Sequence, residues 1–253
     1  MLRPAATLAM RRVPMRRTFV FSPAWAFADA AGARMKSLSA LPPAPAGFPL
    51  RWFSLVFFAV LAWSAIRPTD PFTWWLEVAP ALLGYAALLA VRKRWRFSAL
   101  TSVVILLHLI VLMVGGHYTY AEVPGFWFDL PWLGGLRNDY DKLGHFFQGF
   151  GPALVAREIL LRRRVVRTSG WLNFLVVALC LGISAAYELV EWGVSVSVGA
   201  GGDAFLGTQG FIWDTQTDML CALIGATVAV VAFGRLQVRQ FPIGPIPDAT
   251  PRD

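Results

Sequence analysis

The sequence predicts an all-α, polytopic membrane protein: a bundle of six transmembrane helices with both termini on the cytoplasmic side. Three observations predict it. Of 253 residues, 57% are hydrophobic and only 15% charged, with a mean hydropathy of +0.55, whereas a soluble domain carries about 25% charge. Six apolar segments follow residue 47. Most of the basic residues lie between alternate segments, which sets a single orientation.

Taken in order, residues 1–47 read as a leader outside the fold. They hold Arg3, Arg11, Arg12, Arg16, Arg17, Arg34 and Lys36, then the Pro-rich linker LPPAPAGFP, and such a composition is expected to stay disordered. The string MRRTFVFSPAWAFADA, with Ala28-Asp29-Ala30 as a cleavage site, mimics a signal peptide. Pro23 interrupts its apolar run, and cleavage would place the new N-terminus outside, against the charges that follow, so a cytoplasmic leader is the better reading. Met15 and Met35 are alternative starts.

The apolar segments run about 50–66, 72–91, 97–114, 142–161, 171–195 and 213–233, within a six-helix domain of residues 48–234. About 20 helical residues cross a hydrocarbon core roughly 30 Å thick. A lone strand in lipid would leave its backbone unsatisfied, so all six are expected to be helices. Trp52, Trp63, Trp74, Trp75, Trp95, Trp132, Trp171 and Trp213 stand near segment ends, as an interfacial belt would. GGLRND and GAGGD read as turns, and residues 235–253 as a short cytoplasmic tail.

With the N-terminus inside, 20 of the 23 Lys and Arg fall on the inner side, and only Arg67, Arg137 and Lys142 fall outside. The net charge of +8 is therefore assigned to the inner face of a membrane, not to a nucleic-acid partner. Eleven of the 15 acids lie at the outer side. Cys180 and Cys221 fall in apolar sequence with no CxxC, and read as reduced packing residues.

The fourth segment opens with NDYDKLGHFFQGFGP, where a plain span would carry no ionisable group. Asp141, His145 and Gln148 share one helical face, and Gly144, Gly149 and Gly151 leave room for close helix approach. YELVEW supplies Glu188 and Glu191 at i, i+3, and WDTQTDM supplies Asp214 and Asp218 at i, i+4. Because the third and fifth segments run outward and the fourth and sixth inward, His117, Asp141, His145, Glu188, Glu191, Asp214 and Asp218 are all expected in the outer third of the membrane.

Ionisable groups at that depth are costly unless they pair, bind a cation or line water. Three readings follow. The carboxylates and histidines pair across the bundle in a structural role. Alternatively, Asp141, His145, Glu188, Glu191, Asp214 and Asp218 form a catalytic site acting on a membrane lipid, a headgroup or an envelope precursor at the outer leaflet. His145, Glu188, Asp214 and Asp218 would then hold a divalent metal ion, with Lys142, Gln148 and His117 contacting substrate. In the third reading they form a proton- or ion-coupled transport pathway. His108 reads as a helix-to-helix hydrogen-bond donor, and Tyr118 and Tyr120 as interfacial anchors. HEXXH, P-loop and serine-elbow motifs are absent from the sequence.

YDKLGHFFQGF, AAYELVEW and FLGTQGFIWDTQTDMLCALIGA resemble the YjdF-like family of bacterial inner-membrane proteins (domain of unknown function 2238), over roughly residues 48–234. More distantly the chain is similar to VanZ-like envelope proteins. The resemblance implies an inner-membrane location and shared positions at Asp141, Lys142, His145, Glu188, Glu191, Asp214 and Asp218. It implies Asp in the family where this chain has Phe211. It supplies no reaction.

Overall fold

The computed structural model describes residues 47–166, 169–198 and 208–241. The leader and its alternative starts, the GAGGD turn with Asp203, and the tail beyond residue 241 lie outside the described residues. Six long helical segments make up the described fold: α1 (Leu50–Ser64), α2 (Pro71–Val91), α3 (Ala99–Tyr118), α4 (Tyr140–Arg162), α5 (Ser169–Val198) and α6 (Asp214–Val228). The last continues through a π-helical stretch, Ala229–Phe233, into Gly234–Val238.

Among the described residues, four helices are long and apolar enough to cross a membrane: Pro71–Val91, Ala99–Tyr118, Gly170–Val198 and Asp214–Val238. The other two depart from the pattern for separate reasons. Helix α1, with 15 residues, is apolar but short. Helix α4, with 23 residues, is long enough but carries Asp141, Lys142, Arg157, Glu158 and Arg162. All five of these side chains are buried, and α4 packs against α3, α5 and α6. The most charged helix is thus the innermost one. Its polar groups meet protein rather than lipid, which explains how a weakly apolar segment can hold the centre of a membrane bundle.

Close packing of α4 on α6 rests on two glycines. A methyl at Gly149 would strike the Ala222 carbonyl, and one at Gly225 would strike the carbonyl of Phe146. Gly144 is filled by the ring of Tyr120, and Gly151 abuts His108. Around this crossing, Val104, Phe150, Leu154, Leu172, Val176, Cys180 and Ala226 form one apolar core. A second core joins α1, α2 and α3 through Phe53, Phe57, Val78, Tyr85, Leu109 and Met113. Leu83, Leu189 and Val231 are more than 60% exposed, as expected of lipid-facing helix surfaces. Asp70 caps α2 by accepting from the Thr73 backbone N–H at 2.7 Å, and hydrogen bonds to Thr73 hold its carboxyl below the usual range.

The end of α4 remote from Asp141 is fastened by a buried polar knot. The Glu158 carboxylate accepts from Ser98, from the Thr101 hydroxyl at 2.7 Å and from Arg162 at 2.8 Å. Gln237 donates to the Leu154 carbonyl at 2.7 Å, and Arg157 donates to Gln237. Gln237 and Phe241 are therefore buried parts of the fold, although the expected boundary of the helical domain was residue 234.

Several expectations are corrected. GGLRND is more than a turn: Gly134 and Gly135, at φ of 103° and 81°, turn a hairpin between β1 (Trp127–Leu130) and β2 (Gly135–Asn138). The hairpin pairs Trp127 with Asn138 and Phe128 with Arg137. Tyr120 is no interfacial anchor, because its ring fills the notches left by Gly115 and Gly144. Trp74 and Trp95 are buried, unlike the other Trp of the expected belt that lie in the described residues; Trp74 donates to the Ser64 hydroxyl, and Arg162 covers Trp95. His108 has no hydrogen-bond partner among the described residues and instead faces a cavity.

Candidate functional site

The hairpin and the α4–α6 crossing together assemble the site. Asn138 is held at the hairpin end: its side chain donates to the Val123 carbonyl at 2.7 Å, and its backbone exchanges hydrogen bonds with the Gln209 side chain. This grip sets Arg137 over the Phe211 ring, 5.6 Å from the centroid, and aims its Nη1 at Asp214 Oδ1, 2.7 Å away. One turn into α4, Lys142 Nζ reaches Asp214 Oδ1 at 2.7 Å, Asp218 Oδ1 at 2.6 Å and Asp141 Oδ2 at 3.4 Å. The i, i+4 spacing of Asp214 and Asp218 lets one ammonium bridge both. Such a pair is sustained in a buried setting only because both acids are matched at short range.

His145, one turn further, is ringed by acids. Its Nε2 lies 3.4 Å from Asp141 Oδ1 and 3.9 Å from Asp218 Oδ1. Its Nδ1 lies 3.6 Å from Glu188 Oε1 and 3.2 Å from Gln148 Oε1. Two donor sets have all their atoms within 4.8 Å of one another: Asp141, His145 and Asp218, and His145, Glu188 and Glu191. They differ in what already holds them. Asp218 and Asp141 are engaged by Lys142, whereas Glu191 has no ion pair among the described residues and Glu188 only the longer one to His145. Of the expected metal ligands, His145 and Glu188 thus sit in the less occupied set. Asp214 belongs to neither set and has two cations on its Oδ1, and Glu191 completes the set of His145 and Glu188.

Five of the six expected catalytic residues, Asp141, His145, Glu188, Asp214 and Asp218, are linked through ion pairs centred on Lys142 and His145, and Glu191 joins them at His145. His117 does not join them. Its Nδ1 meets the Ser64 carbonyl at 3.0 Å and its ring packs 4.5 Å from Trp63, so it ties the end of α3 to the end of α1. Two participants escaped the sequence reading. Arg137 looked like a loop charge, because nothing in its local pattern shows that a hairpin folds it onto Asp214. Glu77 stands early in the second apolar segment, and a lone acid in an apolar helix is a usable signal.

Glu77 is buried, has no ion pair among the described residues, and faces a cavity of about 460 Å³. Asp141, His145, Gln148, Tyr187 and Glu191 line the same space. The cavity size is typical of a small-ligand site. Just outside α4, Asp139 is buried with both oxygens lacking hydrogen bonds and only Arg137 Nε at 3.6 Å, and burial raises its carboxyl above the usual range.

The family described as "Predicted membrane protein (DUF2238)" matches residues 49–239, three quarters of the chain and all six described helices. The chain belongs to that family. It is 49% identical over 187 residues to the protein named "Inner membrane protein YjdF" of Escherichia coli (strain K12), covering 74% of this chain and 90% of that one. No solved structure matches. Family and apolar helices together make this YjdF-like chain a multi-pass inner-membrane protein.

Proposed function

We propose that this YjdF-like protein carries a divalent-cation site at His145, Glu188 and Glu191, facing outward, and acts on the polar head of a lipid or lipid-linked precursor in the outer leaflet. The observation that carries the reading is the separation of the acids into two groups. Arg137 and Lys142 neutralise Asp214 and Asp218. Glu77 and Glu191 line the cavity without an ion pair among the described residues, and Glu188 joins Glu191 at His145, its one ion-pair partner, 3.6 Å away. Uncompensated buried carboxylates beside an imidazole are the donor set that Zn²⁺, Mn²⁺ or Fe²⁺ takes.

In this scheme Nδ1 of His145 faces the cation, and Nε2–H donates to Asp141, which fixes the ring orientation. Lys142 sets the position of Asp141 and Asp218 and holds their charge, so its role shifts from the expected substrate contact to that of a counter-ion. Gln148, 3.2 Å from Nδ1, is placed to meet a polar substrate group beside the cation. Glu77 across the cavity is the acid available to move a proton. A bound cation would polarise a phosphate or ester oxygen.

Metal analysis of the purified protein tests the proposal. About one equivalent of divalent metal is expected, lost in His145→Ala and in Glu191→Gln and kept in His117→Ala. Metal-free wild-type protein that moves protons or solutes in proteoliposomes would replace this reading with the transport one. Metal-free protein with neither activity would leave the acids a structural role.

A further inference from the structure

The cavity below the site is shaped as a groove rather than a hole. Its lining on α2 runs from Glu77 through Gly84 and Ala87 to Val91. Fourteen helical residues separate those ends, about 21 Å at 1.5 Å per residue. Along α4 it runs in parallel from Asp141 to Val155. Every ionisable lining group except His108 sits near one end, and the remaining wall is almost wholly apolar, ending at Val91 and Phe97. Small residues line it at Gly84, Ala87 and Gly151, where Leu109 packs close to Gly84 and His108 close to Gly151.

The groove also has a side opening. Helices α2 and α5 form its two flanks through Ala87 and Ile183, yet make little or no contact with each other, while α3 and α4 form the floor. Ala87 and Ile183 are both exposed. In a membrane an apolar slot that opens sideways meets lipid chains, not water. The length of about 21 Å exceeds half of a hydrocarbon core roughly 30 Å thick, so an extended chain whose head stays at the acidic end can fill it.

We infer that the groove takes one acyl chain of a membrane phospholipid, entering between α2 and α5, with the lipid's amine-bearing head at Glu77 and its phosphate toward His145. The assignment rests on the reading above for the phosphate end. The chain end rests on the groove alone. Glu77 favours an ammonium head because it is a buried carboxylate, aimed into the cavity, without an ion pair among the described residues.

The test uses the full-length protein in vesicles containing a phosphatidylethanolamine with a diazirine near the end of one acyl chain. Photocrosslinks are expected on peptides covering 84–91 and 105–112, besides the lipid-facing surface. Ala87→Trp or Ile183→Trp fills the slot from either flank. Because each buried methylene strengthens binding severalfold, displacing two lowers occupancy about tenfold. Crosslinks at 105–112 should fall by that factor, while those at exposed Leu83 stay unchanged. Undiminished crosslinking at 105–112 in both variants would overturn the inference. So would modification of Ala87→Cys by a membrane-impermeant charged maleimide, which would show a water-filled pathway. Metal content is read separately: crosslinked but metal-free protein keeps the groove and removes the metal site, whereas metal-loaded protein without groove crosslinks does the reverse.

Discussion

Lys142 Nζ lies 2.6 Å from Asp218 Oδ1 and 2.7 Å from Asp214 Oδ1, so one ammonium on α4 holds two carboxylates one turn apart on α6. All three groups are buried. Removing the cation leaves Asp214 with Arg137 alone and Asp218 with only the longer contact to His145, at 3.9 Å, in a low-dielectric setting. Breaking such an arrangement costs about 3–5 kcal/mol, whereas removing both partners costs far less. Lys142→Met is therefore expected to lower the thermal midpoint sharply or to remove the protein from the membrane. Lys142→Met combined with Asp218→Asn should recover much of that loss, because Asp214 keeps its pair with Arg137. Scanning fluorimetry in detergent checks both, and equal damage from the single and double variants would refute the pairing.

The α4–α6 crossing predicts a steric effect independent of charge. Gly149 lies against the Ala222 carbonyl and Gly225 against that of Phe146, with no room for a methyl group at either. Gly149→Ala or Gly225→Ala must push the helices apart, which also pulls Lys142 from Asp218. Each substitution is expected to cost about 1–3 kcal/mol as an overpacked contact. Gly182→Ala is the control, because that glycine faces open space on α5. Comparable midpoints for Gly149→Ala and Gly182→Ala would show that the crossing is looser than described.

How much of this was legible in the sequence follows from the range of the interactions. Helix positions came from local hydropathy and agree with the structure to a few residues. Asp141, His145 and Gln148 fell on one face because helical period is a local property. The glycines of α4 announced a close approach, but their partner Gly225 lay in an unremarkable GA pair. Arg137 and the Lys142 bridge were illegible, since both depend on which end of α6 meets α4 and on a hairpin signalled by only two glycines. His117 was misplaced for the opposite reason: depth along the axis put it level with the acids, but rotation about α3 turns it to Ser64 and Trp63.

Asp139 supplies a pH prediction outside the helices. Burial raises its folded-state pKa above the unfolded value of about 3.9. A raised acid pKa means that the protonated form favours folding: that contribution is fully present below about pH 4 and is lost as pH rises through the folded value. Above that value the Asp139 carboxylate is a buried charge whose one ion pair among the described residues is with Arg137 at 3.6 Å, with Lys142 acting at longer range. Asp139→Asn is expected to raise the thermal midpoint at pH 7 and to match the parent near pH 4. A variant less stable than the parent at pH 7 would show that the Arg137 pair outweighs burial.

The last prediction concerns orientation, because an outward-facing site depends on it. We propose that all six helices span, α1 and α4 included, with both ends of the chain on the cytoplasmic side. The acids of α4, α5 and α6 share one end of the bundle with Glu77, and the Glu158–Arg162 knot lies at the other. Arg92, Lys93, Arg94, Arg162, Arg163 and Arg164 flank that second end, where the positive-inside bias places them in the cytoplasm. Phosphatase fusions in the hairpin, near Gly134, are expected to be active, and fusions near Arg163 inactive. A fluorescent-protein fusion after Arg94 should mature, as only cytoplasmic fusions do. If α1 failed to span, α2 through α6 would keep these orientations and only the N-terminal side would change, which a fusion before Phe48 detects. An active phosphatase near Arg163 would instead turn the acidic end to the cytoplasm, and the lipid head it serves would then belong to the inner leaflet.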